Sequence, residues 1–456
     1  MEPPLILLPF LISLLIGYLV LTILLDEKDG DSRLVKIFLA GGLGMGLSGN
    51  LTFYSYLLLD QLHPPLVITG HVILLGLLFL YGLVAHKQRL FKIIPFKSID
   101  GKTAGLTILF LLALVPVWEQ AQCFPFGGWD AWQVWNFKAK VLFLGGENWK
   151  NIFAPDLWRT SPHYPLLLPL INVWGWLFVN RAADAGPLLT SFLFTALTTG
   201  LLFAALLKTT KNPFSILAAL LPLTITQFNV LATSQYCDIV VAYYILAGVY
   251  CLEQSWKTQN KHYALLAGLF LGLLSFTKPE GLIAAGLIAV TGLPVLLLTV
   301  LPDQKLARSG CSLLLTGLIL TAIPSFAFHA LYSPGNQTFV NGLTSAQKPA
   351  DWERLQVILL SLGQELISMK WRGIWLLLLM GGVIGGKRCF QNKNLLPGLF
   401  LFSYLSVITT YYFINTHFDI RWWLDVSLNR ILLSVLPMTA FWTFRAALSG
   451  HSESKR

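Results

Sequence analysis

Apolar residues along this chain neither alternate nor recur on one helical face; they run in long stretches separated by short polar gaps. A hydrocarbon core about 30 Å thick takes about 20 residues of helix to cross. Thirteen stretches approach that length, at 5–25, 37–59, 64–85, 104–119, 185–207, 214–231, 239–255, 262–276, 281–301, 310–332, 372–386, 394–414 and 430–447. Backbone amides in lipid have to be satisfied within their own segment, and the alternation of a membrane barrel is missing. The pattern therefore predicts an all-α polytopic membrane protein of about 13 transmembrane helices. Residues 120–184 depart from it, because their apolar part from Pro165 to Phe178 is short and interrupted by Pro and Trp. That part predicts an interfacial or re-entrant helix on a long loop.

Composition agrees, since 55% hydrophobic against 12% charged residues excludes a soluble or disordered chain. The net charge of +10 then reports orientation and not a nucleic-acid partner. With 120–184 on one side, most of the 32 basic residues fall on the other, at 26–36, 86–102, 208–211, 256–261, 302–308, 387–393 and the tail from Arg445. The expectation is an integral protein of a bacterial-type cytoplasmic membrane, or an ER-like membrane, with loop 120–184 extracytoplasmic and the tail inside. The first apolar run has no basic residues before it and no small-residue cleavage site after it, so it reads as a retained helix and not a signal. Five scattered cysteines show no metal-ligand spacing, and only Cys123 and Cys237 fall where a bridge could form. Asn50-Leu-Thr and Asn336-Gln-Thr match the glycosylation acceptor pattern.

Five polar islands interrupt the apolar runs. The densest, Phe124 to Lys140, gathers Trp129, Asp130, Trp132, Trp135, Lys138 and Lys140. Projected at about 100° per residue, 129–143 places Trp132, Trp135, Ala139, Leu142 and Phe143 on one side and Asp130, Gln133, Asn136 and Lys140 on the neighbouring arc. This predicts an interfacial helix with its aromatic face in lipid and its polar face toward a cavity. An aromatic belt accounts for the tryptophans alone, but not for Asp130 after the turn-forming Gly127-Gly128. The second island, Ser161-Pro-His-Tyr-Pro, presents His163 and Tyr164 and equally suits a proline-broken helix entry. The third, Ser234-Gln-Tyr-Cys-Asp238, sets an acid at a helix start, where the macrodipole also favours one. The fourth, Lys278-Pro-Glu280, fills the break between two spans and could be a plain ion pair. The fifth, His417 to Arg430, offers Arg421 and Arg430 as a phosphate clamp, against the commoner role of snorkelling at an interface.

Gly128-Trp-Asp-Ala-Trp132 with Lys138-Ala-Lys140, then His163-Tyr-Pro-Leu-Leu-Leu-Pro169, Tyr236-Cys-Asp238 and Gly272 to Gly281 in this order resemble the GT-C superfamily of integral-membrane glycosyltransferases. The similarity is to the branch of protein O-mannosyltransferases and the lipid A aminoarabinose transferase, and it covers roughly residues 120–300. It implies a catalytic membrane module over 104–301 with its outer loop at 120–184, an N-terminal three-helix addition over 1–103, and C-terminal helices over 302–456 with outer loops at 333–371 and 415–430. Asp351-Trp-Glu-Arg354 should open an amphipathic helix in the first of those loops.

The resemblance further implies a polyprenyl-phosphate sugar donor and a lipid, glycan or protein acceptor on the extracytoplasmic face. Asp130 matches the family's loop acid and would act as general base, although Ala131 stands where the family often has a second acid. Lys278 and Glu280, with Arg421 or Arg430, would hold the departing phosphate, and Trp129, Lys138, His163, Tyr164 and Asp238 would surround the substrates. A divalent metal ion could bridge phosphate and acid, yet no ligand cluster demands one. Readings from other classes are a polytopic transporter or lipid-linked sugar flippase, and a noncatalytic scaffold.

Overall fold

The computed structural model describes residues 4–25, 33–90, 101–210, 215–299, 304–335, 340, 351–391 and 394–448. Each of the thirteen apolar stretches contains helix, but they differ in reach. Among the described residues nine helices are long and apolar enough to cross a membrane, or up to eleven if each of two bent pairs is one span, and there is no strand. The count of thirteen is corrected accordingly, for identifiable reasons. The stretch at 214–231 bends by 69° between Ser215–Thr224 and Thr226–Thr233, where Pro222 ends regular hydrogen bonding and Ile225 is extended. The stretch at 372–386 follows a 107° bend, at which Arg372 and Gly373 both take positive φ. Lys261–Ser275 and Pro279–Val295 are short apolar helices, the first about 22 Å long by its 15 residues.

The helices are α1 (Leu8–Leu24), α2 (Arg33–Leu59), α3 (Pro64–Leu90), α4 (Gly101–Ala113), α5 (Val115–Cys123), α6 (Asn136–Leu144), α7 (Leu167–Trp176), α8 (Ala185–Thr210), α9 (Ser215–Leu220) and α10 (Thr226–Thr233). They continue as α11 (Asp238–Thr258), α12 (Lys261–Ser275), α13 (Pro279–Thr299), α14 (Gln304–Leu331), α15 (Trp352–Ile367), α16 (Ile374–Gly385), α17 (Leu395–Ile414) and α18 (Ile420–Leu448). Helix α11 is the centre of the molecule: every residue from Asp238 to Trp256 is buried, so it keeps no lipid face. Asp238 and Glu253 on α11 pair with Arg430 and Arg445 on α18. Both pairs advance by the same interval in the same direction, so the two helices run parallel.

Helix α2 lies directly on this centre. A Cβ at Gly42 would stand 2.0 Å from the Tyr243 ring and one at Gly46 2.5 Å from the Tyr244 hydroxyl, so only glycine admits the two tyrosines. The Tyr244 hydroxyl donates to the Gly42 carbonyl at 3.0 Å, and Tyr243 to that of Phe38 at 2.9 Å. The first helices are thus part of the same core as α11. Asn50 of α2 is buried and donates to the Thr321 carbonyl at 2.9 Å, which closes it to glycosylation; Asn336 lies outside the described residues.

The helix expected at 165–178 exists as α7 and is buried throughout its ten residues. Cys123 is exposed and unbridged, and Cys237 is buried with its thiol directed to the Thr277 carbonyl at 3.4 Å. Helix α15 begins as its sequence predicts, with the Asp351 carboxylate accepting the Arg354 N–H at 2.9 Å.

Candidate functional site

Four of the five islands meet at the end of the bundle where α11 begins. The loop before α11 and the loop before α6 lock together first: Gly128 N–H donates to Ser234 O at 2.9 Å, while Gly127 (φ 72°) and Gln235 (φ 60°) turn the two backbones. A Cβ at Gly128 would lie 2.4 Å from the Tyr236 hydroxyl, so Gly128 is what lets Tyr236 come close. That hydroxyl accepts the Asp130 N–H at 3.4 Å. Asp130 then opens a π-helical turn, Ala131–Trp135, which runs into α6. Such turns widen the helix and re-aim side chains.

Asp130 therefore faces Arg430 rather than solvent. Its Oδ2 accepts from Arg430 Nη1 at 2.6 Å, and Arg430 Nε donates to Asp238 Oδ2 at 2.9 Å. Lys278 Nζ donates to Asp238 Oδ1 at 2.9 Å and lies 3.3 Å from Glu280 Oε1. The Arg430 guanidinium also stacks over the Tyr236 ring, 4.5 Å from its centroid. The result is one chain of contacts, Asp130–Arg430–Asp238–Lys278–Glu280, drawn from a loop, α18, α11 and the α12–α13 break. Its middle is sealed and its ends open: the Asp238 side chain is 2% exposed, whereas Asp130 and Glu280 are 27% and 25% exposed. Three carboxylates face two cations, so with all five ionised the cluster carries one net negative charge.

The Ser161–Tyr164 island joins through Lys138. This lysine is fully buried and donates to Ser161 O at 2.6 Å and Tyr164 O at 3.1 Å. Burial pushes its ammonium pKa well below the usual value. Lys138 is a staple for the turn that carries His163 and Tyr164, where Ser161 has φ 50°. His163 is held down to about 4, first by burial and then by the charges of Lys138 and His329. Burial, and then the Glu280 carboxylate, push the Tyr164 hydroxyl up.

Two expectations fail geometrically. Trp135, Ala139 and Leu142 point into the core and not into lipid, although Trp132 on the same side is exposed. The π turn and the interlocked loops rotate the segment inward, which a uniform helical projection does not anticipate. Arg421 is exposed and nine residues before Arg430 on α18, half a rotation away, so the two arginines form no clamp. Lys278 and Arg430 are each shared between two carboxylates. Trp129 sits outside the charge chain, exposed and edge-on to Trp132 at 4.4 Å.

Among the described residues no three His, Cys, Asp or Glu side chains gather for a metal ion. The acids of the cluster share cations instead of converging on one point, so they make no metal cage as arranged. Glu253 and Arg445 were not anticipated from sequence. Glu253 takes both terminal nitrogens of Arg445, with Nη2–Oε1 at 2.9 Å, and Lys257 adds a contact at 3.4 Å. The repeated interval Asp238 to Glu253 and Arg430 to Arg445 was the available signal.

Comparison with protein-family models, curated proteins and solved structures finds no match in any of the three. What sequence and structure together establish is a polytopic all-helical integral membrane protein with a chain of ion pairs, buried in its middle, that opens at Asp130 and at Glu280.

Proposed function

We propose that the protein is a membrane glycosyltransferase that moves a sugar from a polyprenyl-phosphate-linked donor to an acceptor hydroxyl on the extracytoplasmic face, with Asp130 as general base. The observation that carries this reading is the Asp130–Arg430–Asp238 chain: a partly exposed acid at one open end of a relay sealed in its middle. In a transfer of this kind the acceptor oxygen attacks the anomeric carbon and loses its proton, while the phosphate departs with the electrons of the broken C–O bond. A base must stand beside the acceptor and a cation beside the phosphate.

Arg430 links the two demands. A donor phosphate competes with Asp130 for the same guanidinium, which suits bidentate phosphate contact. Donor binding would thus draw Arg430 toward the leaving group and release the Asp130 carboxylate for the acceptor proton. Asp238, held in turn by Lys278, keeps Arg430 within reach and offsets its charge. Direct attack inverts the anomeric configuration.

The test is transfer of radiolabelled sugar from polyprenyl-phosphate donors in membranes holding wild type or Asp130→Asn at matched abundance. Wild-type transfer that collapses in the variant, with free polyprenyl phosphate as co-product, supports the proposal. Equal transfer by both removes Asp130 from the role. Donor movement across the membrane with no transfer replaces the enzyme with a carrier of lipid-linked sugar.

A further inference from the structure

The loop that carries Asp130 also walls a cavity of about 180 Å³ that belongs to none of the groups in the charge network. Its lining includes Phe126, Trp132, Asn136, Lys140, Asp184 and Gln235. The two amides form a fixed floor: Asn136 Nδ2 donates to Gln235 Oε1 at 2.7 Å, Gln235 Nε2 donates to Pro125 O at 2.9 Å, and Asn172 Nδ2 donates to Asn136 Oδ1 at 3.3 Å. Lys140 and Asp184 stand at the rim, 3.8 Å apart and both about half exposed. Trp132 and Phe126 leave large apolar surfaces open beside them.

Size and chemistry narrow the occupant. A cavity of about 150 Å³ holds one benzene-sized ring, so this volume is on the scale of a single sugar ring. Rigid aromatic walls, fixed amides and an adjacent donor and acceptor suit a flat ring that carries both hydroxyls and C–H faces. An anion would meet Asp184 together with Lys140. Position adds the rest: Trp132 is two residues from Asp130, and Gln235 precedes Tyr236, whose hydroxyl accepts the Asp130 N–H.

We infer that this cavity is a carbohydrate subsite that holds the sugar ring of a glycan or glycolipid acceptor beside Asp130. The word acceptor rests on the transferase reading; the binding of a ring does not. Saturation-transfer NMR on the full chain in nanodiscs, without donor, tests it with the methyl glycosides of glucose, galactose, mannose and N-acetylglucosamine. Ring-proton saturation is expected from at least one of them, weakened about tenfold in Trp132→Ala and in Lys140→Ala and retained in Asp130→Asn. Both lining variants alter exposed side chains, so loss of fold does not mimic the result. No saturation of any of the four, or saturation untouched by both lining changes, overturns the subsite. Ring binding without donor-dependent transfer would instead keep the subsite and reject the transferase.

Discussion

Helices α11 and α18 run side by side with an acid–arginine pair at each end, and the ends are built differently. At the Glu253 end the arginine gives both terminal nitrogens to one carboxylate, Asn394 accepts from Arg445 at 2.7 Å, and side-chain exposure is 0% for Glu253 and 3% for Arg445. At the Asp238 end the arginine is divided between two carboxylates, and the chain of contacts continues outward to Asp130 and Glu280. The first arrangement encloses one carboxylate between Arg445 and Lys257, with only the lysine part-exposed. The second leaves an odd carboxylate and an open edge, so an incoming anion or hydroxyl can redistribute its contacts. The comparison teaches that an intramembrane ion pair is a staple or a site according to how its charges are shared, not according to which residues compose it.

Substitutions can separate the two ends. The largest effect is expected for Asp130→Asn: loss of about 10²–10⁴-fold in sugar transfer, as removal of a general base gives, with thermal stability in detergent little changed. A matching fall in melting temperature would make Asp130 another staple. Glu253→Ala should do the reverse, destabilising the fold by about 3–5 kcal/mol because Arg445 is left buried without its carboxylate, while transfer per folded molecule is kept. Pairing it with Arg445→Met should restore most of that stability, measured by thermal unfolding. Arg430→Lys should reduce transfer about tenfold or more, since an ammonium cannot serve two carboxylates through a planar fork; an equally active lysine variant would defeat the proposed exchange.

A smaller effect should come from pH. His163 is neutral in the fold because its pKa is depressed to about 4, against about 6.5 when unfolded. A depressed histidine favours the fold above its unfolded pKa, and that contribution is lost as pH falls from about 6.5 toward 4. Stability should drop by about 1–2 kcal/mol near pH 5, after allowance for partial exposure, and His163→Gln should flatten the profile. Unfolding curves recorded between pH 7 and pH 5 decide it. Smallest of all, Arg421→Ala should change stability by under about 0.5 kcal/mol and transfer not at all, because the side chain is exposed and on the wrong face of α18.

Much of this was legible along the chain. Long apolar runs announced helices, and Pro and Gly announced their ends. The islands holding Asp130, Asp238, Lys278 and Arg430 stood out because lipid tolerates no idle charge. The sharing of Arg430 was not legible, since Asp130 and Arg430 lie 300 residues apart and meet only through the packing of α11 and α18. Nor was the inward turn of Trp135, which depends on a π turn that no residue type signals. Glu253 and Arg445 stayed hidden because each looked like an ordinary polar residue near a helix end.

The sequence alone determined that this is an all-helical membrane protein, where its helices lie, and which few charged residues had to find partners, because a single apolar segment already fixes its own solvent and its own backbone hydrogen bonds. Only the tertiary structure decided which charges pair, which of two ion-paired ends is sealed, and that Asp130 stands at the open one. Those outcomes depend on side chains brought together from distant segments, where burial and the count of competing carboxylates, and not local pattern, set the result.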